Sequence, residues 1–129
     1  MTQQQQPKEY AMQEYVDGFV LPVPRANVQA YQKMAESAKA VWLEHGALDY
    51  RECVADDLGT ETFRSFSEAA GAKDDETVVF AWIVYANKAE RDRINALVMA
   101  DPRLANVSCE NVFDFKRMSW GGFSTLVAK

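Results

Sequence analysis

Apolar and polar residues alternate or cluster along this chain in two distinct patterns. Residues that favour the pleated surface of a β-strand concentrate at 15–23, 47–55, 77–85 and 113–123. Apolar positions recur every three or four residues after Asn27 and again after Asn87, which places them on one face of a helix. The chain is therefore predicted to have the element order β-α-β-β-α-β.

Local signals set the ends of the predicted helices. Asn27 is expected to be the N-cap of the first helix, and Gly46 supplies the left-handed residue that ends it. Asn87 is expected to cap the second helix, and Pro102 to stop it at Asp101.

The remaining segments are predicted to be irregular. Residues 56–76 form a long loop that contains a short helical turn at 67–70. Gly121 and Gly122 predict a bend or a bulge near the end of the fourth strand.

The third strand is apolar on both of its faces, so we expect both faces to be covered. Two right-handed β-α-β crossovers give a ferredoxin-like antiparallel sheet in the order four-one-three-two, with both helices on one face. A second copy packed on the other face would bury its apolar residues. The sequence thus predicts an α+β fold that pairs into a dimeric α/β barrel.

Length and composition fit one domain. The chain has 129 residues, of which 48% are hydrophobic and 26% charged, typical of a globular protein. Residues 1–13 are Gln-rich and lack periodicity, so we expect a disordered tail followed by a single domain over 14–129.

Charge and hydropathy narrow the expected partners. The net charge is −5, and no run of basic residues is present, which argues against nucleic acids and anionic membranes as partners. No apolar stretch reaches the roughly 18 residues of a membrane span, and the first residues lack the apolar core of a secretory signal. We therefore expect a cytoplasmic protein.

Three charged or titratable residues are candidates for catalysis. His45 could be a general acid or base, or simply a cation at a helix C-terminus. Asp17 and Arg117 could serve as a base and as a stabiliser of an anion. Alternatively, they form a structural ion pair, because strands one and four are expected to be neighbours.

Aromatic residues are the candidates for ligand binding, although aromatics at helical and strand spacing more often belong to the plain core. The candidates are Tyr31, Trp42, Tyr50, Trp82 and Trp120. Cys53 and Cys109 form no CxxC pair, and the single histidine has no zinc-site spacing with them, so no metal is expected. The chain also lacks the common nucleotide-binding and nucleophile motifs, so no cofactor is expected.

Five stretches carry a resemblance to a known family. They are YVDGFVLPVPRANVQAY at 15–31, EHGALDYREC at 44–53, DETVVFAWIVYANKAERD at 75–92, MADPRL at 99–104 and FDFKRMSWGGF at 113–123. Together they resemble the YbaA-like family of small bacterial proteins of unknown function. The resemblance implies membership of the dimeric α/β-barrel superfamily and brings no established activity.

Two functional interpretations follow from these observations. In the first, a cytoplasmic homodimer binds a small, largely apolar or aromatic molecule between sheet and helices. This protein could also catalyse a reaction of that molecule without a cofactor. In the second, the chain is a non-catalytic structural or stress-related interaction protein with a filled core. An apolar cavity of several hundred Å³ with convergent polar groups would favour the first interpretation.

Overall fold

The computed structural model describes residues 13–129, so residues 1–12 of the predicted tail lie outside the described residues. The strands are Tyr15–Pro24 (β1), Asp49–Val54 (β2), Glu76–Tyr85 (β3) and Ser119–Ser124 (β4). The helices are Val28–Glu44 (α1), Phe66–Ala70 (α2), Lys88–Met99 (α3) and Pro102–Ala105 (α4), with 3-10 turns at Arg25–Asn27 and Phe115–Arg117. The predicted α+β class is confirmed.

The four strands form one antiparallel sheet in the order β4-β1-β3-β2. β1 and β3 pair over ten residues each, from Tyr15 opposite Tyr85 to Pro24 opposite Glu76. These long apolar strands lie in the centre, where burial is greatest. The shorter strands β2 and β4 contain more polar residues or glycines, and they form the edges.

One face of the sheet packs against α1 and α3. Alternate residues of a strand point to the same side, so every second residue of β1 and β3 meets the helices. The buried residues form two clusters: Val41, Ala47, Ile83, Tyr85, Ile94 and Val98 in the first, and Leu21, Val23, Val79 and Ala81 in the second.

The opposite side of the sheet is called the open face here. Its apolar members are Val16, Val20, Pro22, Val78, Phe80, Trp82, Val84 and Phe123. The short helix α2 packs on one end of it, with the ring of Phe66 6.0 Å from that of Phe80. Even so, Phe80 is 44% exposed and Phe123 is 61% exposed. The open face is therefore only partly covered in the single chain.

The fourth strand begins at Ser119 rather than at residue 113, so its predicted start was wrong. The side chain of Asp114 accepts a hydrogen bond from the backbone N–H of Lys116 at 3.1 Å, and a 3-10 turn follows. This local hydrogen bond competes with strand pairing. As a result, Arg117 lies on a turn before the strand.

The predicted bend at Gly121 and Gly122 was also wrong. Gly121 lies opposite Gly18 and Gly122 opposite Asp17 in an unbroken register. A Cβ atom on Gly122 would lie 2.5 Å from the hydroxyl oxygen of Tyr15. The glycine therefore makes room for the Tyr15 side chain instead of turning the backbone.

The helix ends match the prediction only in part. Asn87 caps α3 by accepting a hydrogen bond from the Glu90 N–H at 2.9 Å. Asn27 precedes α1 but makes no cap hydrogen bond, and its Nδ2 donates to the Val112 carbonyl at 2.9 Å. A 3-10 turn already leads into α1, which leaves the Asn27 side chain to hold the segment before β4.

Candidate functional site

A cavity of about 480 Å³ lies between the sheet and α1. The segment from Leu104 to Met118 contributes the remaining part of its wall. Most of the side chains that line it are apolar: Phe19, Met34, Ala35, Ala38, Trp42, Ala81, Ile83, Leu104, Val107, Phe113 and Met118. The polar or weakly polar lining residues are Tyr31, Lys33, Ser37, Tyr50, Glu52 and Cys109.

A carboxylate held by two phenols is the main polar feature of this cavity. Tyr50 and Glu52 are two residues apart on β2, so the pleat points both toward α1. The Tyr50 hydroxyl donates to Glu52 Oε2 at 2.6 Å. The hydroxyl of Tyr31, on α1, donates to Glu52 Oε1. We call Tyr31, Tyr50 and Glu52 the carboxylate cluster.

Electrostatics keep both phenols of the carboxylate cluster protonated. Burial raises the pKa of Tyr31 far above its usual value, and the negative charge of Glu52 raises it further. The same two causes act, in the same order, on the pKa of Tyr50. Both hydroxyls therefore remain hydrogen-bond donors throughout the neutral pH range.

The carboxylate cluster is also accessible from a second cavity of about 480 Å³ on its other side. Tyr31, Tyr50 and Glu52 line both cavities. Lys39 of α1 and Arg51 of β2 line only the second one. The Glu52 carboxylate thus stands between the apolar cavity and a more polar groove.

A second polar network lies deeper in the helix-facing core. Asp17 is 1% exposed, and its Oδ2 accepts a hydrogen bond from the Tyr85 hydroxyl at 3.0 Å. The Arg91 Nη1 atom lies 3.4 Å from Asp17 Oδ1. Asn95 donates to Asp17 Oδ2 at 3.3 Å and accepts from Trp42 Nε1 at 3.1 Å. Asp17 is therefore enclosed by protein groups.

The predicted ion pair between Asp17 and Arg117 was wrong. Arg117 binds Glu76 with two hydrogen bonds, at 2.7 and 2.9 Å, and also donates to the Gly71 carbonyl at 2.6 Å. The pairing differs because Arg117 lies on the turn before β4, while Asp17 faces α3 and pairs with Arg91. The Arg117 hydrogen bonds lower the pKa of Glu76 to about 2.

His45 lies just after α1 and pairs with Asp101, its Nε2 2.9 Å from Asp101 Oδ2. Arg103 binds the same carboxylate, with its Nη2 2.7 Å from Oδ2. Hydrogen bonds from Arg103 and then from His45 hold the pKa of Asp101 well below its usual range. None of the three lines the apolar cavity.

The structure therefore separates the three predicted catalytic residues. His45, Asp17 and Arg117 pair with three different side chains, and none of them is among the residues that line the cavity. Among the described residues, no hydrogen bond or salt bridge joins any two of them. Their assignment to catalysis stays a prediction without a shared site.

Three of the five predicted ligand-binding aromatics do come together. Tyr31, Trp42 and Tyr50 line the apolar cavity. Trp82 lies on the open face opposite Gly18. Trp120 is on the edge strand β4, 55% exposed, with the Arg91 guanidinium 5.7 Å from its ring.

Glu52 is a cavity residue that was not among the site residues predicted from the sequence. The spacing of Tyr50 and Glu52 in β2 was a signal for it, since residues two apart share a face. The partnership with Tyr31 joins residues 21 positions apart, and only the packing of α1 reveals it.

Other kinds of site are not evident over residues 13–129. There, no group of three or more His, Cys, Asp or Glu side chains is arranged to hold a metal ion. No helix in that range is both long enough and apolar enough to cross a membrane.

Comparison with known proteins identifies relatives over nearly the whole described chain. The family model "Protein of unknown function (DUF1428)" matches residues 14–115. The "Uncharacterized protein YbaA" of Escherichia coli K12 is 41% identical over 114 residues, which are 88% of this chain and 97% of that protein. The Shigella flexneri protein of the same name matches to the same extent.

The fold is also found among solved structures. One example is the crystal structure of NE2512, a protein of unknown function from Nitrosomonas europaea, with a TM-score of 0.53 and 13% sequence identity. The match covers 92% of this chain and 95% of that one. At this identity, the similarity extends to the fold alone.

Proposed function

This chain belongs to the DUF1428 family of proteins of unknown function, and we propose that it binds a small, largely apolar or aromatic molecule in the cavity between its sheet and α1. The observation that carries the proposal is the cavity itself. Its volume of about 480 Å³ lies within the range usual for small-molecule sites. A structural protein with a filled core would not need such a space.

The composition of the cavity wall supports the same proposal. Ligand sites are mostly apolar, with a few polar groups that fix the orientation of the ligand. Here aromatic and aliphatic side chains surround the carboxylate cluster. Glu52 replaces Asp17 as the carboxylate that a bound molecule would meet, since Asp17 is enclosed by Tyr85, Arg91 and Asn95.

We further propose that two chains pair through their open faces, so that two ferredoxin-like sheets form a dimeric α/β barrel. The exposed rings of Phe80 and Phe123 support this proposal, because apolar area in contact with water is unfavourable by about 25 cal/mol per Å². An isologous dimer would cover both copies of the open face at once.

The free thiols of Cys53 and Cys109 are consistent with a reducing compartment, and we propose the cytoplasm as the place of action.

Two measurements test ligand binding. Native mass spectrometry of the purified protein should reveal a small molecule that is released on denaturation. Titration with the neutral dye Nile red should give saturable fluorescence that 2-naphthalenemethanol reverses. Ala38 lines the cavity, whereas Ala40 is an exposed residue on the same helix.

These two alanines provide the matched variants. Ala38→Phe should weaken dye binding by at least about tenfold, and Ala40→Phe should leave it unchanged. The proposal fails if the dye does not bind saturably, or if both variants bind it as the wild type does.

A further inference from the structure

We propose that the ligand carries a protonated primary or secondary amine, which binds the carboxylate of Glu52 while its apolar body fills the cavity. This inference rests on the proposed function and adds the chemistry of the head group. It follows from the hydrogen bonds, the charge and the aromatic surroundings of the carboxylate cluster.

The hydrogen bonds leave Glu52 with free acceptor capacity. Each carboxylate oxygen accepts one phenol, Tyr31 on Oε1 and Tyr50 on Oε2. An ionised carboxylate offers about four lone-pair sites, so roughly two remain for a donor from the ligand. Both phenols use their only proton on Glu52, so neither is free to donate to an anionic ligand.

The charge of Glu52 lacks a cationic partner. Over residues 13–129, the ion pairs involve other carboxylates, and no Lys, Arg or His side chain lies within 4.0 Å of Glu52. Lys33 and Lys39 line the two cavities near the carboxylate cluster but do not pair with it. A carboxylate that is half-buried among apolar groups is best stabilised by a positive charge.

The aromatic lining favours a cation over a neutral donor. Phe19, Trp42 and Phe113 line the cavity together with the two tyrosines. The faces of aromatic rings attract a nearby cation. A hydrogen bond from an ammonium to a carboxylate is about twice as strong as one between neutral groups. An amine with an aromatic or aliphatic body therefore matches both parts of the site.

Three probes that share one ring system test the head group by isothermal titration calorimetry at pH 7. They are 2-naphthylmethylamine, which is protonated at this pH, the neutral 2-naphthalenemethanol and the anionic 2-naphthoic acid. We expect the amine to bind at least about tenfold more tightly than the alcohol, and the acid to bind most weakly.

Two charge variants assign the preference to one residue. Glu52→Gln should reduce the affinity for the amine to about that for the alcohol and leave the alcohol nearly unchanged. Glu61→Gln removes the same charge from an exposed loop position and should change neither affinity. If Glu52→Gln does not fold, the order of the three probe affinities for the wild-type protein still tests the amine inference.

The outcomes separate the two proposals. If the alcohol binds as tightly as the amine, or the acid binds best, the amine inference is overturned while the cavity remains a binding site. If none of the three probes binds, the proposed function fails and the amine inference fails with it.

Discussion

The Tyr50 hydroxyl donates a 2.6 Å hydrogen bond to the carboxylate of Glu52, two residues further along β2. Both side chains face α1, where Tyr31 donates to the second oxygen of the same carboxylate. The strand pleat and the packing of one helix thus build a polar centre inside a mostly apolar cavity. This cluster is the part of the molecule in which we place ligand recognition.

The hydrogen bond between Tyr50 and Glu52 should contribute measurably to stability. A hydrogen bond to a charged group contributes about 1.5–3 kcal/mol when buried, and solvent around the half-buried Glu52 should reduce this to about 1 kcal/mol. Tyr50→Phe should therefore lower the free energy of unfolding in urea by about that amount. In a Glu52→Leu background, the same substitution should cost almost nothing, and an equal cost in both backgrounds would show that no such bond forms.

A second prediction concerns the partner of Asp17. Asp17 is buried beside Arg91, so Arg91→Met should leave the Asp17 carboxylate buried without a cationic partner. We expect this to lower the free energy of unfolding by on the order of 3 kcal/mol. The double variant with Asp17→Asn should cost clearly less than the sum of the two single changes. When Arg117→Met is combined with Asp17→Asn, the losses in free energy of unfolding should simply add, because Arg117 pairs with Glu76 and not with Asp17. Urea unfolding measures these free energies. A non-additive result for Asp17 and Arg117 would contradict the structure.

The pair of Glu76 and Arg117 predicts a dependence of stability on pH. The folded-state pKa of Glu76, about 2, lies below its ordinary value of 4.5. The stabilisation is therefore complete above pH 4.5 and is lost as the pH falls toward 2. With allowance for solvent around this pair, the loss should be on the order of 2 kcal/mol.

Arg117→Met tests this pH dependence. The variant should lose less stability than the wild type between pH 5 and pH 2, because the pKa of Glu76 would return toward its ordinary value. Chemical unfolding at a series of pH values provides the measurement. Parallel pH profiles for the two proteins would contradict the assignment.

The open face predicts the behaviour of the protein in solution. At micromolar concentration, the wild type should sediment at about twice the chain mass of 14.6 kDa. Phe80→Lys places a charge in the middle of the open face and should give monomers. Met99→Lys, an exposed apolar residue of α3, should remain dimeric. A wild-type protein that sediments as a folded monomer would contradict the proposed dimeric barrel.

The sequence was most informative where one periodic pattern ran through a whole element. The apolar residues at 77–85 predicted a buried strand, and β3 has this character on its helix-facing side. The apolar periodicity after Asn27 likewise predicted α1. These elements were predictable because burial of a whole face determines them.

Errors arose where one local interaction competed with a pattern. Residues 113–118 look strand-like, but the Asp114 side chain closes a turn there. The resulting shift moved Arg117 away from Asp17 and made the predicted ion pair wrong. Arg91 could not be identified as the true partner, because its position depends on how α3 packs on the sheet.

The candidate site was predictable only in part for the same reason. Tyr31, Trp42 and Tyr50 were identified by residue type, and the sheet-facing side of α1 and the helix-facing side of β2 bring them together. The role of Glu52 depends on a hydrogen bond between two elements that are distant in sequence. Periodicity gives the face on which a residue lies, but it does not give the residue's partner.

The most direct test of the central claim, that a small molecule occupies the cavity, is to map where it binds. Two-dimensional ¹H–¹⁵N spectra recorded during titration with 2-naphthalenemethanol report this residue by residue. The largest shifts are expected for amides of the cavity wall, including Tyr31, Ala38, Tyr50 and Glu52. Shifts confined to the open face around Phe80 and Trp82, or no shifts at saturating ligand, would contradict the account.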